Sequence, residues 1–376
     1  MSPRLRILVT IPELGSGGPD RVMFELLNTI DRDRFEPSLL VLDGGGRYLS
    51  MLPPDVSIEV LGRKPGRGGR YPVLRTLQHI RQMKPDVVLA TQNMTLTVGL
   101  MKALLPRKCR LVLRQANDVS ADFAVLVKQS LFKHRIARQL SFATLRGADA
   151  VVCQSSSMMR DLRATLGVRA KLHVISNPID VERVQANAAL HTEHIPGTPS
   201  LISVGRLSAQ KGYDILLDAI ALIRPKHPSM RLTIVGDGPL RAQLEHRAET
   251  LGVTDVVRFI GFSDAPLPLV RDSDLFVLAS RYEGFPNAAL EALACGTPVV
   301  LTDCPGANSE IVHNGLNGRL ASSVTSASFA EALEAAITEL PAYDRLAIVE
   351  DCASRFAAKR IVGEYESLFE TVSGRN

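Results

Sequence analysis

Two glutamates, Glu283 and Glu291, stand with seven residues between them in the stretch EGFPNAALEALACG (283–296), and most of what separates them is apolar. Pro286 suits the first position of a helix, where a missing N–H costs nothing. Gly296, followed by Pro298, is a stop signal. The spacing predicts a helix from Pro286 to Cys295 with alanines and leucines on almost every side, which marks a buried helix. A carboxylate in its second turn then needs a partner, because an unpaired buried charge is costly or is neutralised. A helix starting at Pro286 would present N–H groups from Asn287 onward, able to meet a phosphate or a sugar hydroxyl. Glu283 sits in the loop facing the same ligand. Glu291 lies about 7.5 Å along the axis, a reach comparable to that from a nucleotide's phosphates to its ribose. A structural ion pair with a neighbouring arginine is the alternative for Glu291.

Three other segments have the form strand, glycine loop, helix. In SVGRLSAQKGYD (203–214) a strand ends in Gly205, and Arg206 and Lys211 stand five apart around a polar loop. Arginine holds a phosphate with two parallel bonds and lysine acts as a point charge, so the two form a diphosphate clamp, or else two solvated surface charges. In TIVGDGPLRAQL (233–244), Gly236 lies in a turn of nucleotide-binding type with Pro239 at the expected helix start, although helix capping alone would account for Asp237. In GSGGPDRV (15–22), Gly17 and Gly18 permit close approach of a ligand to backbone N–H groups. A dinucleotide fingerprint would need a third glycine where Asp20 stands, which disfavours NAD.

Other patterns carry less. DSD (272–274) has the D-x-D form of some metal sites, but it precedes the buried strand DLFVLAS and falls at the amino end, away from the expected ligand edge. His191 and His194 make a lone H-x-x-H, too little for a metal. Neither a metal nor a cofactor is expected.

These residues need a frame, and the chain supplies one. Strands are expected at 6–11, 37–42, 86–91, 110–114, 149–153 and 171–176, with helices near 18–30, 72–83, 95–104, 122–146 and 155–166. The pattern restarts with strands at 200–205, 230–236, 256–261, 274–280 and 297–302. Runs of Val, Ile and Leu without polar alternation mark parallel strands covered on both faces. Two such arrays in series imply two Rossmann-like domains, expected at 1–180 and 181–354. A closing helix at 355–376 is expected to pack back on the first domain.

The 376 residues are 45% hydrophobic and 22% charged, as in a soluble globular protein. No apolar run approaches the ~18 residues of a membrane span. The five cysteines are scattered without C-x-x-C pairs and read as reduced packing residues of a cytoplasmic protein. The net charge of +5 divides unevenly, the first 180 residues being basic and the remainder acidic. No nucleic-acid-binding motif accompanies the basic half, so a nucleic-acid partner is not expected.

The succession GSGGPDRV, SNPID, SVGRLSAQKG, VGDGP, EGFPNAALEALACGTPVV and NGLNG resembles the family-4 retaining glycosyltransferases of GT-B architecture. The likeness runs over essentially the whole chain and is strongest in 200–320. It implies an α/β fold of two doubly wound parallel-sheet domains facing across a cleft. It also implies metal-independent transfer of a sugar from a nucleotide-sugar, with UDP favoured, to a glycan or lipid-linked acceptor in cell-envelope polysaccharide synthesis. By that resemblance Arg206 and Lys211 would neutralise the diphosphate, Glu283 would approach the donor sugar and Glu291 would take the ribose hydroxyls. Gly205, Gly236, Gly284, Phe285, Pro286 and Asn287 would line the donor, and Gly17 and Gly18 would close over the diphosphate.

The chain departs from the family at one point. Where many relatives carry a histidine facing the donor sugar, it has Ala116, which leaves Arg114, Asn117 or Asp118 as candidates for the acceptor or sugar side. The basic segments 125–142 and 62–70 suggest contact with an anionic membrane surface, hence a peripheral place at the inner face of the membrane. The competing readings are a sugar-nucleotide epimerase of the same architecture and a nucleotide-sugar-binding protein without turnover.

Overall fold

In the computed structural model the described residues are 3–15, 17–62, 73–116, 120, 123, 127, 130–168, 171–190 and 197–375. The chain forms two compact units, one of residues 1–178 with 358–376 and the other of residues 179–357.

The first unit is built on a seven-stranded sheet of β1 (Leu5–Ile11), β2 (Phe35–Val41), β3 (Ser57–Val60), β4 (Val87–Thr91), β5 (Arg110–Arg114), β6 (Ala150–Cys153) and β7 (Leu172–Val174). Its order is β3-β2-β1-β4-β5-β6-β7 and every pairing is parallel. The order reverses between β1 and β4, where sheets of this kind open a crevice at the carboxyl ends of their strands. Strands β4 and β6 are buried along their whole length, which is why their sequences lack polar alternation.

The second unit has a six-stranded sheet of β8 (Ser200–Val204), β9 (Arg231–Val235), β10 (Val257–Gly261), β11 (Leu275–Leu278), β12 (Val299–Thr302) and β13 (Gly318–Ala321). Its order, β10-β9-β8-β11-β12-β13, repeats the plan, with the reversal between β8 and β11. All of its pairings are parallel as well.

Strands β3 and β13 are absent from the sequence expectation. Both are edge strands of four residues, SIEV and GRLA, and β3 is largely exposed. Neither offers the apolar run by which the other strands are recognised.

The closing helix differs from expectation in its extent. One helix, Arg345–Phe356, ends in the second unit. Ala357 is extended and bridges Ile179, and a new helix, Ala358–Ser373, belongs to the first unit. Ile361, Val362, Tyr365, Leu368 and Phe369 of that last helix lie in the same core as β1, β2 and the helix Gly18–Thr29. Burying each of them contributes roughly 1.5–3 kcal/mol. The boundaries between units therefore fall at 178/179 and 357/358.

Candidate active site

In the second unit, the residues singled out from the sequence gather at the carboxyl ends of β8, β9 and β11. The turn after β8 carries Gly205, Arg206 and, in the short 3-10 turn Ala209–Lys211, the second cation. The loop after β11 carries Ser280, Glu283, Gly284 and Phe285. Lys211 and Glu283, 72 residues apart in sequence, meet directly. Nζ of Lys211 donates to Oε1 of Glu283 at 2.6 Å, and the Ser280 hydroxyl donates to the same oxygen at 2.6 Å. Glu283 is only 4% exposed. Both bonds land on Oε1, so Oε2 keeps its acceptor capacity, while Lys211 keeps two further N–H donors.

The backbone beneath this cluster is tightly held. Thr302, the last residue of β12, donates its hydroxyl to the Ser280 carbonyl at 2.5 Å, and the Glu283 N–H donates to the Pro305 carbonyl at 2.9 Å. Gly306 adopts φ +132°, and a Cβ there would lie 1.7 Å from the Glu283 carbonyl oxygen. Only glycine fits that approach. Cys304 stands close by, its thiol pushed up to about 12 by burial and then by the charge of Glu283.

Arg206 is exposed, and among the described residues no carboxylate pairs with it. The Leu207 N–H donates to the Asp237 carbonyl at 2.9 Å, which fastens the turn after β8 to the loop after β9. Gly236 in that loop has φ +143°, and a Cβ there would lie 2.0 Å from the Gly205 carbonyl oxygen. Close packing of the two strand ends is thus sufficient reason for a glycine at 236. The helix after this loop begins at Arg241, two residues later than Pro239 suggested.

The helix of the opening stretch runs Asn287–Ala294 with Pro286 as its N-cap. It is not buried all round as expected. Asn287, Ala288, Glu291 and Cys295 are partly exposed and fall on one stripe, while Ala289, Leu290, Ala292, Leu293 and Ala294 are buried. Glu291 lies one turn below Asn287 on that open stripe, so its carboxylate does not carry the full cost of burial that the sequence implied. The N–H groups of Asn287 and Ala289 also differ from expectation, donating to the carbonyls of Phe285 and Pro286. The Phe285 ring is buried against Phe356, edge to face with centroids 5.8 Å apart, so only its backbone remains for a ligand. Asp274 of the D-x-D sits at the amino end of β11, where it accepts from the N–H and hydroxyl of Ser200.

In the first unit the switch point between β1 and β4 opens a cavity of about 530 Å³. Its polar lining includes Glu13, Asp20, Gln92, Gln115 and Thr144, and Leu96 and Phe123 supply apolar wall. Asp20, 5% exposed, accepts from the Gly17 N–H at 2.9 Å and from Nε2 of Gln92 at 2.7 Å. The residue that broke the dinucleotide fingerprint is therefore the one that holds the glycine loop. Gln92 has φ +53°, uncommon outside glycine. The Thr144 hydroxyl, in a side chain 3% exposed, has no hydrogen-bond partner among the described residues.

Ala116 lines this cavity, but Arg114 does not face it. Arg114 is 0% exposed, and its guanidinium donates to the Tyr365 hydroxyl (3.2 Å), the Asn177 amide oxygen (2.6 Å) and the Thr91 hydroxyl (3.4 Å). Its candidacy on the acceptor or sugar side is corrected accordingly: it ties the last helix to the sheet. Asn117, Asp118, His191 and His194 lie outside the described residues, as do most of segment 62–70 and Lys128.

Residues 191–348 match the family described as glycosyl transferases group 1, and residues 16–183 match glycosyltransferase family 4. The chain belongs to the family-4 type of GT-B glycosyltransferase. Among relatives of this glycosyltransferase, a lipopolysaccharide core biosynthesis glycosyltransferase of Rhizobium meliloti is 28% identical over 320 residues, 81% of this chain and 88% of that one. An N-acetylgalactosamine-N,N'-diacetylbacillosaminyl-diphospho-undecaprenol 4-alpha-N-acetylgalactosaminyltransferase of Campylobacter jejuni is 26% identical over 310 residues, 78% and 80% of the two chains. The Anabaena HepE protein, solved in complex with UDP-glucose, shares the fold with a TM-score of 0.77 at 22% identity over 98% of this chain and 100% of that one.

Serine 280, Thr302, Gly306, Asp20, Gln92 and Thr144 were not marked by the sequence reading of this glycosyltransferase. Ser280 ends an apolar strand and shows no motif of its own. Asp20 was visible only as a mismatch.

Proposed function

We propose that this glycosyltransferase moves a sugar, with retention at the anomeric carbon, from a nucleoside diphosphate sugar to a hydroxyl of a glycan or lipid-linked acceptor. A UDP-sugar is the favoured donor, and assembly of a cell-surface polysaccharide is the setting. The observation that carries this reading is the Lys211–Glu283–Ser280 cluster at the switch point of the second sheet, with Arg206, which pairs with no carboxylate among the described residues, in the same turn as Lys211. Breaking the bond between the anomeric carbon and the diphosphate oxygen builds negative charge on the leaving group and positive charge on the sugar. In this reading Arg206 and the two remaining N–H donors of Lys211 stabilise the first. Oε2 of Glu283 is available for a sugar hydroxyl, and Glu291 is assigned to the ribose. The new bond forms from the acceptor oxygen to the anomeric carbon, and the acceptor proton ends on the departing diphosphate, so no protein nucleophile is needed. In this reading side chains meet the leaving-group charge, and the reaction proceeds without a divalent metal.

The cavity of the first unit suits the acceptor. On the same unit, the helix Leu131–Gly147 exposes Phe132, Ile136 and Phe142 among Lys133, Arg135 and Arg138, a pattern that can rest on an anionic bilayer. Among the described residues no helix is long and apolar enough to cross a membrane.

Incubation with UDP-, GDP- and ADP-sugars and a panel of glycan acceptors, with and without a metal chelator, tests the proposal. Product with a retained anomeric configuration, formed in chelator, is expected. Interconversion of the donor without an acceptor would instead support an epimerase, and binding without any reaction a non-catalytic protein.

A further inference from the structure

Arg281 follows Ser280 in the loop after β11 and has no part in the donor reading above. Its guanidinium donates to both carboxylate oxygens of Asp214, at 2.8 and 2.6 Å, and Nη1 also donates to the Ala209 carbonyl at 3.0 Å. The Arg281 N–H donates to the Gln210 carbonyl at 2.7 Å, and Nε2 of Gln210 donates to the Tyr282 carbonyl at 3.1 Å. The segment 209–214, which carries Lys211, is thus fastened on both sides of that lysine to the segment 280–283, which carries Glu283. The Lys211 turn needs such fastening. It is a three-residue 3-10 turn closed by Gly212 at φ +61°, with little internal bonding of its own.

We propose that Arg281 and Asp214 form a positioning clamp that sets the separation of Lys211 and Glu283, and thereby the affinity for the donor diphosphate, while neither touches the donor. The proposal rests on the reading of Lys211 and Glu283 as donor residues. Arg281 and Asp214 are each 39% exposed, and an exposed ion pair adds little to stability. Its geometric effect is larger, because the planar fork fixes direction as well as distance. A displacement of about 1 Å at a catalytic group can cost about a hundredfold in rate. The two charges support each other: the Arg281 hydrogen bond holds the Asp214 carboxyl below its ordinary value, and the Asp214 hydrogen bond raises Arg281. Lysine cannot replace the fork, since it offers one point charge on a flexible stem.

The test is calorimetric titration of the full chain with UDP and GDP, in wild type and the variants Asp214→Asn, Arg281→Lys, the exchange Arg281→Asp/Asp214→Arg, and Lys211→Met. Asp214→Asn and Arg281→Lys are expected to weaken nucleotide binding about tenfold, in line with a sub-ångström shift, with a melting temperature close to wild type. The exchange variant should recover part of the loss. Wild-type affinity in Asp214→Asn and Arg281→Lys, beside a loss in Lys211→Met, would overturn the clamp and leave the donor site standing. Wild-type affinity in Lys211→Met as well would overturn both. A drop in melting temperature without a change in affinity would make the pair merely structural.

Discussion

The Lys211 ammonium lies 2.6 Å from Oε1 of Glu283, in a side-chain pair in which the lysine is 20% and the glutamate 5% exposed. Burying such a pair is costly unless both members are held, and here the hold comes from Ser280 and from the turns on either side. The same arrangement leaves donors and an acceptor atom unused. A site that binds a charged diphosphate and a sugar hydroxyl together requires that combination.

Removing one partner should therefore be worse for folding than removing both. Lys211→Met leaves the Glu283 carboxylate buried with only Ser280, and is expected to lower stability by about 3 kcal/mol. The double variant Lys211→Met/Glu283→Gln should regain most of that stability in urea unfolding while staying inactive. Equal stability of the single and double variants would show that the pair does not carry its own burial.

Gly306→Ala should displace the Glu283 loop. The added Cβ would stand 1.7 Å from the Glu283 carbonyl oxygen at φ +132°. A loss of about 2–3 kcal/mol in urea unfolding is expected from the strained backbone, together with weaker nucleotide binding. Unchanged values for both would contradict the geometry.

Thiol chemistry offers an independent check on the fold. Burial pushes the Cys109 thiol up to about 11 and the Cys304 and Cys352 thiols up to about 12. They stay protonated near pH 8 and are shielded from reagents. Native protein is expected to leave these three unmodified by an aromatic disulfide reagent, with all five cysteines reacting after denaturation.

Acid should weaken the Asp214–Arg281 clamp. The Asp214 carboxyl is lowered from 3.8 chiefly by its hydrogen bond from Arg281, against an opposing contribution from burial. A carboxyl lowered on folding contributes stability that is fully present above the unfolded value and is lost as pH falls through the folded one. The contribution should hold above about pH 5 and fade below about pH 4. Asp214→Asn should remove that part of the pH dependence of the melting temperature.

Much of this architecture is written in the chain, and the reason is physical. Strands buried on both faces must be apolar throughout, so the strands nearest the sheet centres announce themselves as Val, Ile and Leu runs, as VVLAT and AVVC do. The edges SIEV and GRLA carry no such demand and were missed. Arg206, Lys211 and Glu283 were legible because each follows a recognisable strand and switch-point sheets put those ends together. The single bonds that hold them, from Ser280, Thr302 and Arg281, depend on a tertiary approach that no local pattern encodes. Arg114 misled for the same reason: it was a candidate only as a neighbour of Ala116, and nothing local shows that its guanidinium turns to Tyr365 of the last helix.

Arg206 and Lys211 are proposed to bind the donor's diphosphate, and Arg206 is the cleaner probe because it is exposed and no carboxylate among the described residues pairs with it. The measurement is thermal unfolding of wild type and Arg206→Ala, each with and without UDP, GDP and ADP. One nucleotide at a hundredfold excess over its dissociation constant should stabilise wild type by about 2.7 kcal/mol, while Arg206→Ala melts like wild type alone and loses most of that gain. Equal stabilisation of both proteins, or of neither by any nucleotide, would contradict the account.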